Sequence, residues 1–285
     1  MKRQKLFWSV IFNIWFLTAG AQSLEQIKAF ADEQYRLGND SLALKEYQRV
    51  FLFDTTGKYP DIFIRLADIF KRQHNYDKAL MFYKMAWQAE KNDSLRHEIA
   101  FAKIKLHFQH RKYYAALNDL FDFPENLSPY FRAKENLYEG IAYYGLGQFE
   151  KAEEKFKSVT DSVGKDSISM VFLRLKKFRK RYNPSKVELM SLIFPGTGQF
   201  YLGEWKEGLN SWMLLGAIGT YGAYTAHRFS LSDGIFIYLT WFYRYYTGGY
   251  KKAKQLALKK LQRQQSRSYR EILRIIERHG VFSTP

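Results

Sequence analysis

The chain has 285 residues, a net charge of +17, 18% aromatic side chains and no cysteine. That length holds one or two domains with real cores. The missing cysteine excludes disulfides, thiolate metal sites, cysteine nucleophiles and lipidation on cysteine. A charge this high first suggests nucleic acid or an anionic surface, but its distribution matters more than its size. From Gln22 to Phe172 basic and acidic residues balance at 22 each. The excess lies in KRQK at the start, in RLKKFRKRYNPSK (Arg174 to Lys186) with seven, and from Lys251 to Arg278 with ten against Glu271 and Glu277. These blocks flank apolar segments, which is the pattern of charge beside a bilayer with anionic headgroups. No nucleic-acid partner is expected, because the aromatics lie inside the apolar runs and not between the basic residues.

At the N-terminus, MKRQK is a charged region and Leu6 to Thr18 an apolar one of 13 residues. As a helix that is about 20 Å, too short to span a bilayer comfortably. Small residues at Ala19 and Ala21 follow. The three parts predict a secretory signal peptide over 1–21, with an uncleaved anchor as the alternative. Either places Gln22 onward outside the cytoplasm.

From Gln22 to about Phe172 a pattern recurs. Windows starting at Ala31, Ala67 and Gly140 each carry a small residue and a turn seven residues on, at Gly38, His74 and Gly147. An alanine (Ala43, Ala79, Ala152) and an aromatic (Tyr47, Tyr83, Phe156) follow, then Val50, Ala86 and Val159. Ala43 to Ala79 is 36 residues and Ala79 to Ala152 is 73, which leaves room for a copy between them. The window from Ile104 fits there in a degenerate form, with Arg111 at the turn, Ala116 in register and Leu120 for the aromatic. A period near 34 of small and aromatic residues predicts stacked helix–turn–helix units, in which small residues let paired helices cross and aromatics fill the gap to the next unit.

These residues resemble the tetratricopeptide repeat family over about half the chain. The resemblance implies a groove that binds a peptide or protein partner. It carries the groove positions onto Lys28, Tyr35, Arg36, Ile64, Lys71, Arg72, Phe108, Gln109, Leu137 and Tyr144. The adjacent pair Lys71 and Arg72 is expected to clamp a carboxylate. The alanine and aromatic positions of the pattern are expected to be core.

After a basic linker (173–186), Leu209 to Ala226 runs 18 residues without a charge, about 27 Å as a helix, and predicts a span. Gly234 to Tyr250 is the second apolar segment, with Arg244 placed to reach headgroups. Gly219 with Ala223, and Gly222 with Ala226, are spaced to let the two helices approach closely. The stretch PGTGQFYLGEWKEG lacks the lysine and flanking strand of a phosphate loop. Pro195, Gly196 and Gly198 predict a broken backbone instead, with Gln199 satisfying freed groups. Pro195, Gly196, Gly198, Gln199, Tyr201, Gly203 and Gly208, with Gly248, Gly249 and Tyr250, resemble a small bacterial membrane domain often found after tetratricopeptide repeats. Positive-inside charge leaves two or three passes open. The tail, apolar at Leu256, Leu261, Ile272, Ile275 and Ile276, predicts a basic amphipathic helix.

The expected fold is therefore all-α. About four tetratricopeptide-like repeats form a helical solenoid over 22–172. The linker, a transmembrane helical hairpin with a kinked or re-entrant preceding segment (187–250), and the tail (251–285) follow. No HExxH and no GxSxG occurs, and no histidine–carboxylate set has metal spacing. No enzyme activity, metal or cofactor is expected. The expected function is a membrane-tethered scaffold of the bacterial cell envelope, in the inner membrane with its repeats in the periplasm. It would bind a protein or peptide in its groove, with lipid headgroups as a second partner. The alternative is a membrane-domain activity (channel, insertase-like or lipid-handling) regulated by the repeats, with Gln199 and Arg244 as functional groups.

Overall fold

The computed structural model describes residues 23–281; the signal peptide expected over 1–21 lies outside them. The chain divides into two compact units between Leu127 and Ser128. The described residues are helical, with no strand among them.

The first unit holds three helix pairs: α1 (Leu24–Arg36) with α2 (Asp40–Phe53), α3 (Ile62–Arg72) with α4 (Tyr76–Ala89), and α5 (Asp93–Gln109) with α6 (Tyr113–Phe121). Ser23 starts α1 with a reciprocal capping box to Gln26, and Asn75 and Asn92 cap α4 and α5. These side chains satisfy backbone N–H groups that have no partner within the helix. Each pair turns through one left-handed residue: Gly38, His74 and Arg111, at φ 78°, 57° and 55°. The bonds around the three turns match. The residue after each left-handed position donates its N–H five residues back, Asn39 to Gln34, Asn75 to Phe70 and Lys112 to His107. This is the double-bonded stop that ends helices in a left-handed residue. Ala31, Ala43, Ala67, Ala79 and Ala116, with Tyr47, Tyr83 and Leu120, are all buried, so the pattern positions are core.

In the second unit α7 (Pro129–Gly145) and α8 (Phe149–Ser158) repeat the arrangement through Gly147, at φ 76°. A Cβ on Gly140 would lie 2.7 Å from the Phe156 ring, so no larger residue fits where these two helices meet. Helix α9 (Ser162–Arg181) takes up most of the expected linker and buries Leu175. Next come α10 (Pro184–Ile193), the short α11 (Thr197–Tyr201) and α12 (Trp205–Arg228). Then α13 (Leu231–Ile237) passes through a π turn at Tyr238–Phe242 into α14 (Tyr243–His279).

The expected tail is the far part of α14, and its apolar side docks on the protein's own repeat. Ile272 and Ile276 join Phe156, Ile168 and Phe172 in one core, each contributing about 1.5–3 kcal/mol of burial. Beyond it, Val281 donates its N–H to the Val159 carbonyl and His279 contacts Asp161.

The transmembrane hairpin does not stand. Among the described residues no helix is long and apolar enough to cross a membrane, and the inner-membrane location that rested on it goes with it. The physical reason lies in composition. The uncharged run in α12 is interrupted by Asn210, Ser211, Thr220, Thr225 and three glycines, and the second run reaches Arg244 within eleven residues of Gly234. Being uncharged does not make a segment apolar. The close helix approach is present: a Cβ on Gly234 would lie 2.4 Å from that of Ala226 and 2.9 Å from the Gly222 carbonyl.

Candidate functional site: the charged face of the first two helix pairs

Helices α1 and α3 are the first members of successive pairs, and their shared face carries four of the predicted groove residues, Lys28, Tyr35, Lys71 and Arg72. Lys28 sits between Asp32 and Asp61, 2.8 Å from each. Tyr83 donates to Asp68 at 2.6 Å, and Tyr47 donates to Asp32 at the same distance. The pairs Asp32–Tyr47 and Asp68–Tyr83 are 36 residues apart, so one crosslink from a buried tyrosine to a partly exposed aspartate is used twice. In the third copy both members change together, to Lys105 and Leu120. Losing both partners at once avoids an orphaned buried group.

Lys71 and Arg72 do not act as a joint clamp. Lys71 turns to Asp68 at 2.6 Å and to the Tyr83 hydroxyl at 3.2 Å. Arg72 makes a two-pronged contact with Asp40 at 2.7 and 2.5 Å. Burial pushes the Asp68 carboxyl up, but Lys71 and the Tyr83 hydroxyl outweigh it and hold it below its ordinary range. The hydrogen bonds it donates to Asp40 hold Arg72 above its ordinary value. Both cations are thus already paired within the face.

Arg65 differs. It is exposed, lies 4.9 Å over the Tyr35 ring, and makes no close ion pair among the described residues; burial pushes its pKa down, but the Tyr35 hydroxyl and the charge of Asp32 outweigh it and hold it above its ordinary value. Arg72 covers the same ring at 4.7 Å, so Tyr35 is flanked by two guanidinium groups. Such stacking is worth about 0.5–1 kcal/mol at an exposed site; it also fixes the direction of the Arg65 side chain. Arg65 was not among the predicted groove residues. The signal was present: it precedes Arg72 by seven residues, two helical turns, and so shares its stripe.

The other groove candidates scatter. Arg36 is spent on Glu33 at the surface. Ile64 packs on the core, and Gln109 is exposed at the end of α5. Tyr144 is buried in the second unit, donating to the Gln265 carbonyl at 2.8 Å and packing on Tyr269. Helix α14 covers it, so it faces no groove.

The PGTGQ stretch is a structural lock. Gly196 takes φ 87°, and a Cβ there would lie 2.6 Å from the Gly208 carbonyl. A Cβ on Gly198 would lie 2.4 Å from the Val187 carbonyl. Gln199 is fully buried; it accepts from Ser191 at 2.7 Å and donates to the Gly249 carbonyl at 2.9 Å. Tyr201 donates to the Arg181 carbonyl at 3.0 Å. Pro195 and Gly196 break the chain between α10 and α11, and Gly203 turns it into α12 at φ 80°. Gln199 therefore ties α10 and α11 to α14 from a fully buried position, and Arg244 is exposed.

A second polar chain escaped the sequence. Tyr76 and His107 Nδ1 share a hydrogen bond at 2.6 Å, and His107 Nε2 meets Asp119 at 2.9 Å, with Lys103 on the other oxygen. Burial pushes Asp119 up, but His107 and Lys103 outweigh it and hold it below its ordinary range. The order resembles a proton relay. Its groups are spent on one another between α4, α5 and α6, and His107 is 4% exposed, so the chain fastens three helices.

No protein-family model matches the chain, and no curated protein is similar to it.

Proposed function

We propose that the chain is a helical-repeat scaffold of the tetratricopeptide kind that holds an extended segment of a protein partner on the α1–α3 face. The carrying observation is Arg65, directed by Tyr35 and left without a carboxylate on a face where Lys28, Lys71 and Arg72 are all paired. A partner's side-chain or terminal carboxylate would complete the pattern with a two-pronged bond to a preoriented guanidinium. The neighbouring charges alternate in sign, which favours a segment with one well-placed acid over a uniformly acidic one.

The test presents the full-length protein with an array of immobilised twelve-residue peptides. Each carries one Asp, one Glu or a free C-terminal carboxylate, and each has an Asn, Gln or amidated counterpart. Carboxylate peptides should be retained over their neutral counterparts. Arg65→Gln should weaken retention at least tenfold, about 1.4 kcal/mol, while the loss of its stacking on Tyr35 lowers the melting temperature by only about a few degrees. Arg36→Gln should leave retention as it was. Equal retention of neutral and acidic peptides would sink the reading.

A further inference from the structure

The hairpin of α12 with α13 and the start of α14 leaves thirteen large apolar or aromatic side chains exposed between Leu209 and Tyr243. Met213 is 59% exposed, Phe236 64% and Leu239 62%. At about 100 Å² apiece, roughly half of what a buried aromatic covers, the uncovered area is on the order of 1,300 Å². The largest apolar patch of an ordinary monomer is about 300–600 Å². A stable pairing of two proteins takes about 800 Å² from each, so two thirds of this surface would suffice.

We propose that this surface is where a second copy of the chain docks, two hairpins joining as a four-helix bundle. Two helices alone cannot enclose a core, and four can. Helix α12 is uncharged from Leu209 to Ala226, and its partner from Gly234 to Tyr243. A surface without charge offers nothing to steer a charged partner; its complement is another uncharged surface, which the twofold mate supplies. Exposed residues recur at helical intervals, Leu209, Met213 and Gly216 on α12, and Phe236, Leu239 and Tyr243 follow from α13 through the π turn into α14. Beside Met213, a Cβ on Gly216 would meet nothing within 4 Å, which leaves room for close approach along the seam. Two tryptophans and four tyrosines lie from Leu209 to Tyr243, and these aromatics are enriched at protein interfaces. The proposal does not depend on the peptide reading of the α1–α3 face.

The test uses the full chain at micromolar concentration, weighed by sedimentation velocity and light scattering. A single species of twice the chain mass is expected. Met213→Glu and Leu239→Glu, both at exposed positions, should weaken the dimer at least tenfold without changing the circular dichroism or the melting of the monomer. Because the chain has no cysteine, Gly216→Cys gives one thiol per copy. A short bis-maleimide should then link two chains, and the link should vanish in the Met213→Glu background. Four results would overturn the proposal: a monomeric wild type, a ladder of species growing with concentration, a dimer that survives both glutamates, or a monomer that floats with phosphatidylcholine–phosphatidylglycerol vesicles.

Discussion

The α3–α4 pair and the α12–α13 hairpin face one problem, that two helices cannot cover all their apolar surface, and they distribute their aromatics in opposite ways. In the first pair Phe70, Phe82 and Tyr83 point inward, and the tyrosine hydroxyl is bonded to Asp68. The next pair completes the enclosure. In the second, Trp212, Tyr221, Phe236 and Trp241 point outward, and the two helices meet instead through Gly222, Gly234 and Ala226. Aromatic content is therefore no guide to burial. What decides is whether small residues occupy the contact between the paired helices and so displace the large ones to the outside.

The comparison breaks most sharply at the lock beneath the hairpin. Gly198→Ala places a methyl group against the Val187 backbone carbonyl, an atom that cannot step aside. We expect a loss of about 3 kcal/mol or more, read by urea unfolding of the second unit. A loss below about 1 kcal/mol would show that α10 and α11 can separate freely. In the first unit, Tyr83→Phe removes one bond to a half-buried carboxylate and should cost about 1.5–3 kcal/mol. Acid sharpens the same point. Asp68 and Asp119 have folded pKa values held below the ordinary carboxylate value, which is about 3.9. Their stabilisation is fully present above that value and is lost as pH falls through the folded ones. Urea midpoints of the first unit should hold from pH 7 to about 5 and drop below about 4, and the drop should shrink in Tyr83→Phe. The smallest effect is at the turns. His74 and Arg111 adopt the left-handed conformation that Gly38, Gly147 and Gly203 adopt elsewhere. His74→Gly and Arg111→Gly should each stabilise by about 1 kcal/mol, and Gly147→Ala should destabilise by a similar amount. A destabilising His74→Gly or Arg111→Gly, or a neutral Gly147→Ala, would refute the equivalence.

The helix pairs were legible in the sequence because their signal is local and periodic. A nearly constant interval between Ala43, Ala79, Ala116 and Ala152, 36 or 37 residues, needs no knowledge of distant contacts. The crosslink from Tyr83 to Asp68 was not legible, because it depends on the phase of α3 against α4. The same holds for Arg65, whose freedom emerges only once Asp68 and Asp40 have claimed its neighbours. The hairpin was misread for a different reason. Residues Leu209 to Ala226 lack charge, and lack of charge was equated with membrane affinity, although glycine, serine, asparagine and threonine lower the hydropathy of the run. The far end of α14 could not be placed from pattern alone, since its basic amphipathic face suits a lipid surface and a protein groove equally. Packing on Phe156 and Phe172 decides between them.

That last contact bears on how the molecule is born. Ile272 leaves the ribosome a hundred residues after Phe172, and Ile276 follows it, yet both complete the core around Phe156 and Phe172. The first unit can fold as soon as its own six helices have emerged. The fourth helix pair must wait for roughly a hundred further residues, some 5–20 s at ordinary rates of synthesis. During that interval Phe172 and Leu175 lack the isoleucines that will cover them. The nascent chain is thus finished at one end and open at the other, and α14 closes it from the C-terminal side.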